Sequence, residues 1–222
     1  MAGRPVGTVV AALVPRSFST RQSGELFDAM EQAATEFHAP LIGGDLSVHR
    51  EEAAKLSCAV TVLAIPPAEG AVTRGGARPG DGLYVTGVLG GGWTTDHHLV
   101  FRPRLAEATM LRTILGQRLH AMIDLSDGLG RDVGHLVESR PLDVTVTDTS
   151  VPVRPGFDLA AALGDGEDYE LAFAAEGDVP EQLGGCPVHR IGTFREGTGK
   201  VLLHRGETVE DLSGCGWEHG LP

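Results

Sequence analysis

The sequence predicts an α+β protein built from two domains, on the basis of three observations. Strand-like and helix-like segments are interleaved along the chain, but without the strict βαβ rhythm of a doubly wound sheet. The length of 222 residues suits one large domain or two small ones, and the apolar fraction of 41% is enough to bury a core. Residues 66–82 are rich in proline and glycine and predict a boundary. We therefore expect domains at 1–70 and 71–222.

The first predicted domain contains three strands and one helix. Residues 6–15 are β-branched and apolar, which is typical of a buried strand. Apolar side chains recur at helical spacing over 24–38 and predict an amphipathic helix. Residues 39–45 are expected to form a short strand that ends in a Gly-Gly-Asp turn. Residues 56–66 alternate and then run apolar, which predicts another strand.

The second predicted domain begins with a strand at 83–92 that ends in glycines. Pro103 near its start and Gly116 at its end bracket a helix over 102–116. The remaining expectations follow in chain order: a strand at 120–124, a helix opening at 126–139, a strand at 142–148, a short helix at 157–164, a loop and strand at 166–175, a helix at 178–185, and a closing hairpin from 187–196 and 200–206.

The charge and composition exclude several classes of partner. Acidic residues outnumber Lys and Arg by 30 to 18, so the formal net charge is −12, which repels nucleic acid and anionic membranes. We expect neither as a partner. The sequence has no apolar run of transmembrane length and no basic-then-apolar signal pattern at its start. The three cysteines lack zinc-like spacing and indicate a reduced, cytoplasmic setting.

The motif MIDLSDGL at 122–129 is the most informative acidic segment. Asp124 ends a predicted strand, and Asp127 stands at the start of a predicted helix. A helix N-terminus offers free N–H groups, so Ser126 could cap the helix or bond a phosphate oxygen. Mg²⁺ prefers one or two carboxylates together with phosphate. An ordinary helix cap is the alternative interpretation, because a cap needs only one of these side chains.

Two further segments combine glycine with acids beside predicted strands. One is IGGDLS, with Gly44 and Asp45, and the other is GDGEDYEL, with Glu167. Each alone is typical of a surface turn. The three acidic segments together predict convergence at one edge of the fold, around metal ions and phosphate.

Two other phosphate contacts are weaker candidates. Arg74, beside glycines at the domain boundary, could neutralise phosphate, although a surface arginine is the alternative. The glycine run at 87–93 follows a strand and could cradle phosphate, but it lacks the dinucleotide-binding fingerprint.

The motifs IGGD, TRGGARPGD, MIDLSDGL, GEDYEL and GWEH occur in this order, and with them nearly the whole chain resembles the thiamine-monophosphate kinases. These belong to a superfamily with aminoimidazole ribonucleotide synthetase and selenophosphate synthetase. SDGL is shared across that superfamily, whereas GEDYEL and the late GW-H pattern are more specific to the thiamine branch. The resemblance implies an enzyme with a two-domain, aminoimidazole ribonucleotide synthetase-like α+β fold that forms a homodimer through sheets of the N-terminal domain.

The resemblance also implies the reaction and the residues that serve it. The γ-phosphate of ATP is transferred directly to thiamine monophosphate, giving thiamine diphosphate, with several Mg²⁺ ions. The implied Mg²⁺ ligands are Asp45, Asp124 and Asp127. The implied nucleotide and phosphate contacts are Gly44, Arg74 and Ser126. The implied thiamine contacts are Glu167 and Trp217, since a cationic thiazolium over an indole face is a favourable cation–π pair.

The resemblance further implies an incomplete N-terminal domain. In the family, a segment with an Asp-Asp-Ala-Ala type metal motif precedes the position that Met1 occupies here. The region 1–70 is therefore expected to be part of an ATP- and metal-binding dimerisation domain. Two alternatives to the kinase stay open: a catalytically impaired paralogue that binds nucleotide or thiamine phosphates, and another ATP-dependent enzyme of the same superfamily.

Overall fold

The computed structural model describes residues 1–51 and 53–218. The chain divides into two compact units, Gly3–Ala68 and a larger one that joins Met1–Ala2 to Glu69–Pro222. Within the described residues, no helix combines the length and the apolar character needed to cross a membrane.

The smaller unit is a three-stranded sheet with one helix. Its elements are β1 (Arg4–Val14), α1 (Thr20–Glu36), β2 (Leu41–Val48) and β3 (Ser57–Ile65). The strand order is β2-β1-β3, with β1 parallel to β2 and antiparallel to β3. The helix starts before the predicted residue 24 because Ser19 and Gln22 form a capping box that satisfies its first N–H groups.

The predicted Gly-Gly-Asp turn is wrong, because these residues lie inside β2. They continue the parallel pairing with β1, where Gly44 is the partner of Val10 and Asp45 the partner of Ala11. A Cβ atom on Gly44 would collide with the carbonyl oxygen of Val10. The glycine is therefore required by the close approach of two strands, which turn statistics on the sequence alone do not reveal.

β3 leaves apolar side chains open in this unit. Every residue of the strand is exposed, with Val60, Val62 and Ile65 each at least half accessible. Exposed apolar side chains in a row on one strand are typical of a surface that associates with another surface.

The larger unit contains a mixed sheet covered by helices. Its elements are β4 (Gly82–Thr86), α2 (His97–Val100), α3 (Leu105–Leu115), β5 (Leu119–Asp124), α4 (Leu129–Val137), β6 (Leu142–Thr147), α5 (Leu159–Gly164), β7 (Leu171–Ala175), β8 (Gln182–Leu183), β9 (Cys186–Glu196), β10 (Val201–Arg205) and β11 (Thr208–Asp211). The strand order is β11-β10-β6-β9-β4-β7-β5, and β8 pairs with β9.

Side chains alternate between two cores on the two faces of this sheet. Leu83 and Val85 of β4 face the core that contains α4 and α5, whereas Tyr84 between them faces the core that contains α3. In β7, Phe173 lies fully buried in the α3 core. A sheet with both faces covered holds its strand ends firmly, and β5 ends and β7 begins at the acidic motifs.

Two expectations for the larger unit are wrong. The predicted helix at 178–185 is extended and includes β8. The predicted hairpin of β9 with β10 does not form, because β6 lies between them, antiparallel to β9 and parallel to β10. The Asp143 carboxylate of β6 accepts the backbone N–H groups of Thr198 and Lys200, so it fixes the connection as it passes over the end of β6.

Candidate active site

The loop between β5 and α4 is organised by a carboxylate that follows it in sequence. Oδ2 of Asp132 accepts the backbone N–H groups of Ser126, Asp127 and Gly128 at 2.8, 2.9 and 3.2 Å. The anion position at this helix start is thus filled by a protein carboxylate. Any phosphate in this loop must be bound by side chains, not by these three N–H groups.

The helix-cap interpretation of the motif is wrong. The residue at the cap position of α4 is Gly128, and no side chain caps the helix there. The Ser126 hydroxyl donates to Oδ1 of Asp127 at 3.2 Å. Ser126 and both aspartates therefore have no role in closing the helix, which leaves their side chains for another purpose.

Negative charge accumulates around this loop. Burial raises the pKa of Asp132 to about 6, against the backbone hydrogen bonds that lower it, and the nearby charges of Asp127 and Asp124 raise it further. Asp124 is exposed and Asp127 is half-buried, with Nε of Arg131 at 3.8 Å from Oδ2 of Asp127. A cation that bound here would relieve this repulsion.

The GEDYEL segment lies directly against the same loop. The N–H of Glu167 donates to the carbonyl of Ser126, and the N–H of Tyr169 donates to the carbonyl of Leu125, both at 2.8 Å. The Tyr169 hydroxyl donates to the Glu167 carboxylate at 3.1 Å. Two of the three predicted acidic segments are therefore adjacent.

The C-terminal motif joins this cluster. The N–H of Trp217 donates to the carbonyl of Asp127 at 2.7 Å, and the Trp217 side chain is 60% exposed. The next motif residue that the resemblance implied, His219, lies outside the described residues. Three segments that are distant in sequence thus meet at residues 124–128.

Arg74 lies at the edge of the same site. It opens a short 3₁₀ turn, Arg74–Gly76, whose chain passes β5 so closely that a Cβ on Gly76 would strike the carbonyl of His120. A cavity of about 490 Å³ is lined by side chains that include Arg74, Asp124, Ser126, Asp127, Asp132 and His135. An exposed guanidinium and several carboxylates thus share one cavity, which suits a metal–phosphate ligand.

The structure does not support the glycine run at 87–93, a weak candidate from the sequence, as a phosphate cradle. The N–H of Gly90 donates to the Asp168 carboxylate at 2.9 Å, and the N–H of Gly91 donates to Asp165 at 3.1 Å. Nε of Arg154 donates to the carbonyl of Gly90 at 2.7 Å. The run is bound by the protein itself, so these groups are not free for a ligand.

Sequence reasoning missed the residues that organise the site. Asp132, Asp168 and Glu170 are all at most 3% exposed, and burial raises the pKa of Asp168 to about 6. Asp168 and Glu170 come directly before β7, in an acidic segment that the sequence analysis had singled out, and this was the available signal. Arg154 had no sequence signal, because its partner Asp168 is remote in the chain.

The other two predicted residues, Gly44 and Asp45, belong to the smaller unit. Asp45 is exposed on β2, and its carboxylate accepts the Ser47 hydroxyl at 2.8 Å. Among the described residues, no group of three or more His, Cys, Asp or Glu side chains is arranged to hold a metal ion by itself. Mg²⁺ in proteins is usually bound by one or two carboxylates together with phosphate.

Comparison with known proteins gives consistent relatives. No family model matches the chain. It is 30% identical over 237 residues to a thiamine-monophosphate kinase of Rhodopirellula baltica, an alignment that covers 99% of this chain and 72% of the relative. The thiamine-monophosphate kinase of Escherichia coli is 30% identical over 232 residues, with 89% of this chain and 67% of the relative covered.

Solved structures share the fold. Thiamine-monophosphate kinase from Stenotrophomonas maltophilia superposes with a TM-score of 0.75 at 26% identity, over 91% of this chain and 73% of that one. The complex of AaThiL with AMPPCP and TMP has a TM-score of 0.75 at 22% identity, over 99% of this chain and 75% of that one. The hydrogenase maturation protein HypE of E. coli has a TM-score of 0.77 at 19% identity, over 94% of this chain and 73% of that one.

Fold and site together define an α+β protein of the aminoimidazole ribonucleotide synthetase-like class, which confirms the predicted fold. Within that class, the chain belongs to the thiamine-monophosphate kinase family, whose members are phosphotransferases. The resemblance seen in the sequence motifs is thereby confirmed.

Proposed function

We propose that this chain transfers the γ-phosphate of ATP to thiamine monophosphate and forms thiamine diphosphate. The observation that carries the proposal is the meeting of Glu167 and Trp217 with the 124–128 loop through backbone hydrogen bonds. That arrangement brings groups suited to the acceptor next to groups suited to metal and phosphate. A complex with an ATP analogue and TMP is known for a protein of the same fold, which supports this choice of substrates.

The chemistry of the donor set at the cavity fits Mg²⁺. Asp124 and Asp127 supply hard carboxylate oxygens, and their charges raise the pKa of neighbouring Asp132, so a divalent cation would relieve repulsion among them. In the smaller unit, we assign Asp45 as a further ligand. When bound, Mg²⁺ would neutralise the negative charge of the phosphates.

The nucleotide and phosphate contacts are assigned to Arg74, Ser126 and Gly44. The Arg74 guanidinium lines the cavity and can form charge-assisted hydrogen bonds to phosphate oxygens. The Ser126 hydroxyl, which donates to Asp127, can turn to a phosphate oxygen instead. Gly44, next to Asp45, is assigned as a nucleotide contact, because a glycine has no side chain to cover the backbone of β2.

Acceptor recognition is assigned to Glu167 and Trp217. The half-buried Glu167 carboxylate provides the negative charge that a thiazolium or protonated aminopyrimidine requires. The largely exposed Trp217 indole provides a ring face for a cation–π contact. Both residues are anchored to the 124–128 loop through hydrogen bonds from their backbone N–H groups.

The transfer itself needs no covalent enzyme intermediate. An oxygen of the acceptor phosphate forms a bond to the γ-phosphorus, while the bond from that phosphorus to the bridging oxygen of ADP breaks. We propose an in-line displacement, in which the protein positions both phosphates and neutralises their charge. We assign the neutralisation of phosphate charge by the protein to Arg74.

We also propose a homodimer in the cytoplasm, formed through the smaller unit. Val60 and Val62, exposed apolar side chains on the same face of the edge strand β3, support that association, since a second copy would cover them. Sedimentation of the purified chain tests this, and a monomer at micromolar concentration would refute it.

Product analysis tests the proposed reaction. The purified chain is incubated with ATP, Mg²⁺ and thiamine monophosphate, with parallel reactions that contain thiamine or no acceptor. We expect thiamine diphosphate and ADP in equal amounts only in the first reaction. Binding of thiamine monophosphate without product would instead support the impaired paralogue, and product only from a different acceptor would support another enzyme of the superfamily.

A further inference from the structure

The segment 93–101, here called the aromatic segment, takes part in two stacked ring pairs. Trp93 stacks on His98 with ring centroids 4.5 Å apart, and Trp93 is 66% exposed. Phe101, at the other end, stacks on Tyr169 of the GEDYEL segment with centroids 4.1 Å apart and an angle of 17° between the planes. The first pair is internal to the segment, whereas the second connects it to the proposed acceptor site.

The Phe101–Tyr169 pair leads directly to Glu167. The Tyr169 hydroxyl donates to Oε2 of Glu167 at 3.1 Å, so the position of the tyrosine ring determines where one oxygen of the carboxylate is held. Burial raises the pKa of Tyr169, and the adjacent Glu167 raises it further, so the hydroxyl keeps its proton and remains a donor at neutral pH.

The backbone at this place is held in an unusual conformation. Glu167 and Tyr169 both have positive φ, at 58° and 51°, a region that costs non-glycine residues free energy. Their N–H groups are bound to the carbonyls of Ser126 and Leu125. His97 of the aromatic segment adds a third tie, because its Nε2 lies 3.0 Å from the carbonyl oxygen of Asp168.

We infer that Phe101 is a positioning residue for acceptor recognition: by stacking on Tyr169 it holds the tyrosine hydroxyl against Glu167 and so presents the Glu167 carboxylate to the cationic ring of the acceptor. This inference rests on the proposed function, because it takes Glu167 as the acceptor contact. It assigns to the aromatic segment a specificity role through the chain Phe101, Tyr169, Glu167.

Loss of the Phe101–Tyr169 stack should weaken the binding of one substrate only, the acceptor. An aromatic stack of this kind contributes enough free energy to change an equilibrium roughly 3- to 10-fold. Loss of the stack frees the Tyr169 ring and lets the Glu167 carboxylate move among rotamers, so acceptor binding weakens. Nucleotide binding and the chemical step do not depend on this carboxylate and should stay unchanged.

The experiment compares single variants and a double-mutant cycle in the full chain. Phe101→Leu removes the ring, Phe101→Tyr keeps it, and Tyr169→Phe keeps the stack but removes the donor. Trp93→Leu is the matched control, because it removes the other stacked pair of the same segment. Steady-state kinetics give KM for thiamine monophosphate and for ATP, and calorimetry gives the Kd for thiamine monophosphate alone.

We expect Phe101→Leu and Tyr169→Phe each to raise the KM and the Kd for thiamine monophosphate roughly 3- to 10-fold, with kcat and the KM for ATP unchanged. Phe101→Tyr and Trp93→Leu should behave like the unmodified chain. In the Tyr169→Phe background, Phe101→Leu should add little, because both act through one hydroxyl.

Other outcomes distinguish the positioning role of Phe101 from the proposed kinase function. Turnover with an unchanged acceptor KM in Phe101→Leu, or fully additive effects in the double variant, would overturn the positioning role and leave the proposed function standing. Binding of thiamine monophosphate that depends on Phe101, without any product, would overturn the proposed function alone. No binding by the unmodified chain would overturn both.

Discussion

Oδ2 of Asp132 lies 2.9 Å from the backbone nitrogen of Asp127, so an acid within the first turn of α4 binds the loop that precedes that helix. The same oxygen also accepts the N–H groups of Ser126 and Gly128. Asp132 is only 3% exposed, so its carboxylate serves the structure of the loop, whereas the nearby Asp124 is exposed and accessible to a ligand.

Removal of the Asp132 carboxylate should destabilise the chain. In Asp132→Ala the N–H groups of Ser126, Asp127 and Gly128 lose their acceptor in a partly buried place, at a cost of about 1–3 kcal/mol. Urea denaturation followed by circular dichroism measures the loss. Glu138→Ala, which removes an exposed carboxylate just after the same helix, should change the free energy of unfolding by less than about 0.5 kcal/mol. Equal stability of the two variants would contradict the anchoring role.

The ion pair between Arg104 and the buried Glu170 of the GEDYEL segment gives a second prediction. Arg104 makes a two-pronged contact with Glu170, at 2.7 Å through Nε and 2.5 Å through a terminal nitrogen, and Thr86 donates to the same carboxylate at 2.6 Å. The hydrogen bond to Glu170 raises the pKa of Arg104 above its ordinary value. Arg104→Met strands a carboxylate that is 3% exposed, which should cost about 3–5 kcal/mol.

The matched control for that prediction removes the charge on both sides. Arg104→Met combined with Glu170→Gln leaves no unpaired buried charge, so it should recover a large part of the lost stability. Thermal melts of the two variants side by side test this. A double variant no more stable than Arg104→Met would show that packing, and not the stranded charge, dominates.

The pH dependence of stability should show the buried carboxyl of Asp168. Its pKa is raised to about 6 from an ordinary 3.8, mainly by burial, so the folded state binds this proton more tightly than the unfolded state does. The stabilising contribution is therefore complete below about pH 4 and is lost as the pH rises through 6.

Unfolding free energies of the unmodified chain and of Asp168→Asn, measured from pH 4 to 7, isolate this effect. The difference, unmodified minus variant, should fall on the order of 1–3 kcal/mol across that range. Asp143→Asn is a useful comparison: burial raises the carboxyl pKa of Asp143, but backbone hydrogen bonds from Lys200 and Thr198 outweigh this and lower it. Its difference should therefore stay constant above about pH 5 and decrease only as the pH falls toward 4. A difference for Asp168 that is flat in pH would contradict the buried carboxyl.

Metal removal gives a prediction of a different kind. Excess chelator should abolish product formation, and Mg²⁺ should restore it, because the charges of ATP and of Asp124 and Asp127 then again have a counter-ion. Calcium should restore much less, since it is larger and takes more ligands at longer distances. Full activity in chelator would contradict the metal assignment.

Sequence reasoning succeeded for features that depend on local patterns and failed for features that depend on residues far apart in the chain. The ends of β1 and β3, to within two residues, and the existence of α1, α3 and α4 were predictable, because alternation and helical spacing are local patterns. The path of β2 through Gly43–Asp45 and the insertion of β6 between β9 and β10 depend on pairing with remote strands, which no local pattern shows.

Only part of the candidate site was predictable, because some of its residues are marked by local motifs and others only by tertiary contacts. Acidic motifs identified Asp124, Asp127 and Glu167 as candidates, and the structure places these three in neighbouring loops. The anchoring role of Asp132 and the contact of Phe101 with Tyr169 arise from tertiary packing. Those residues have ordinary sequence surroundings, so only coordinates reveal what they contact.

The most direct test of the account is phosphoryl transfer by Asp124→Asn and Asp127→Asn, measured as thiamine diphosphate formed from ATP and thiamine monophosphate in Mg²⁺. Glu210→Gln, an exposed change of the same charge on the opposite edge strand β11, is the matched control. We expect both aspartate variants to lose at least about 100-fold in kcat/KM with melting temperatures near that of the unmodified chain, while the control keeps its activity. Unchanged turnover in both aspartate variants would contradict the assignment of this loop as the metal and phosphate site.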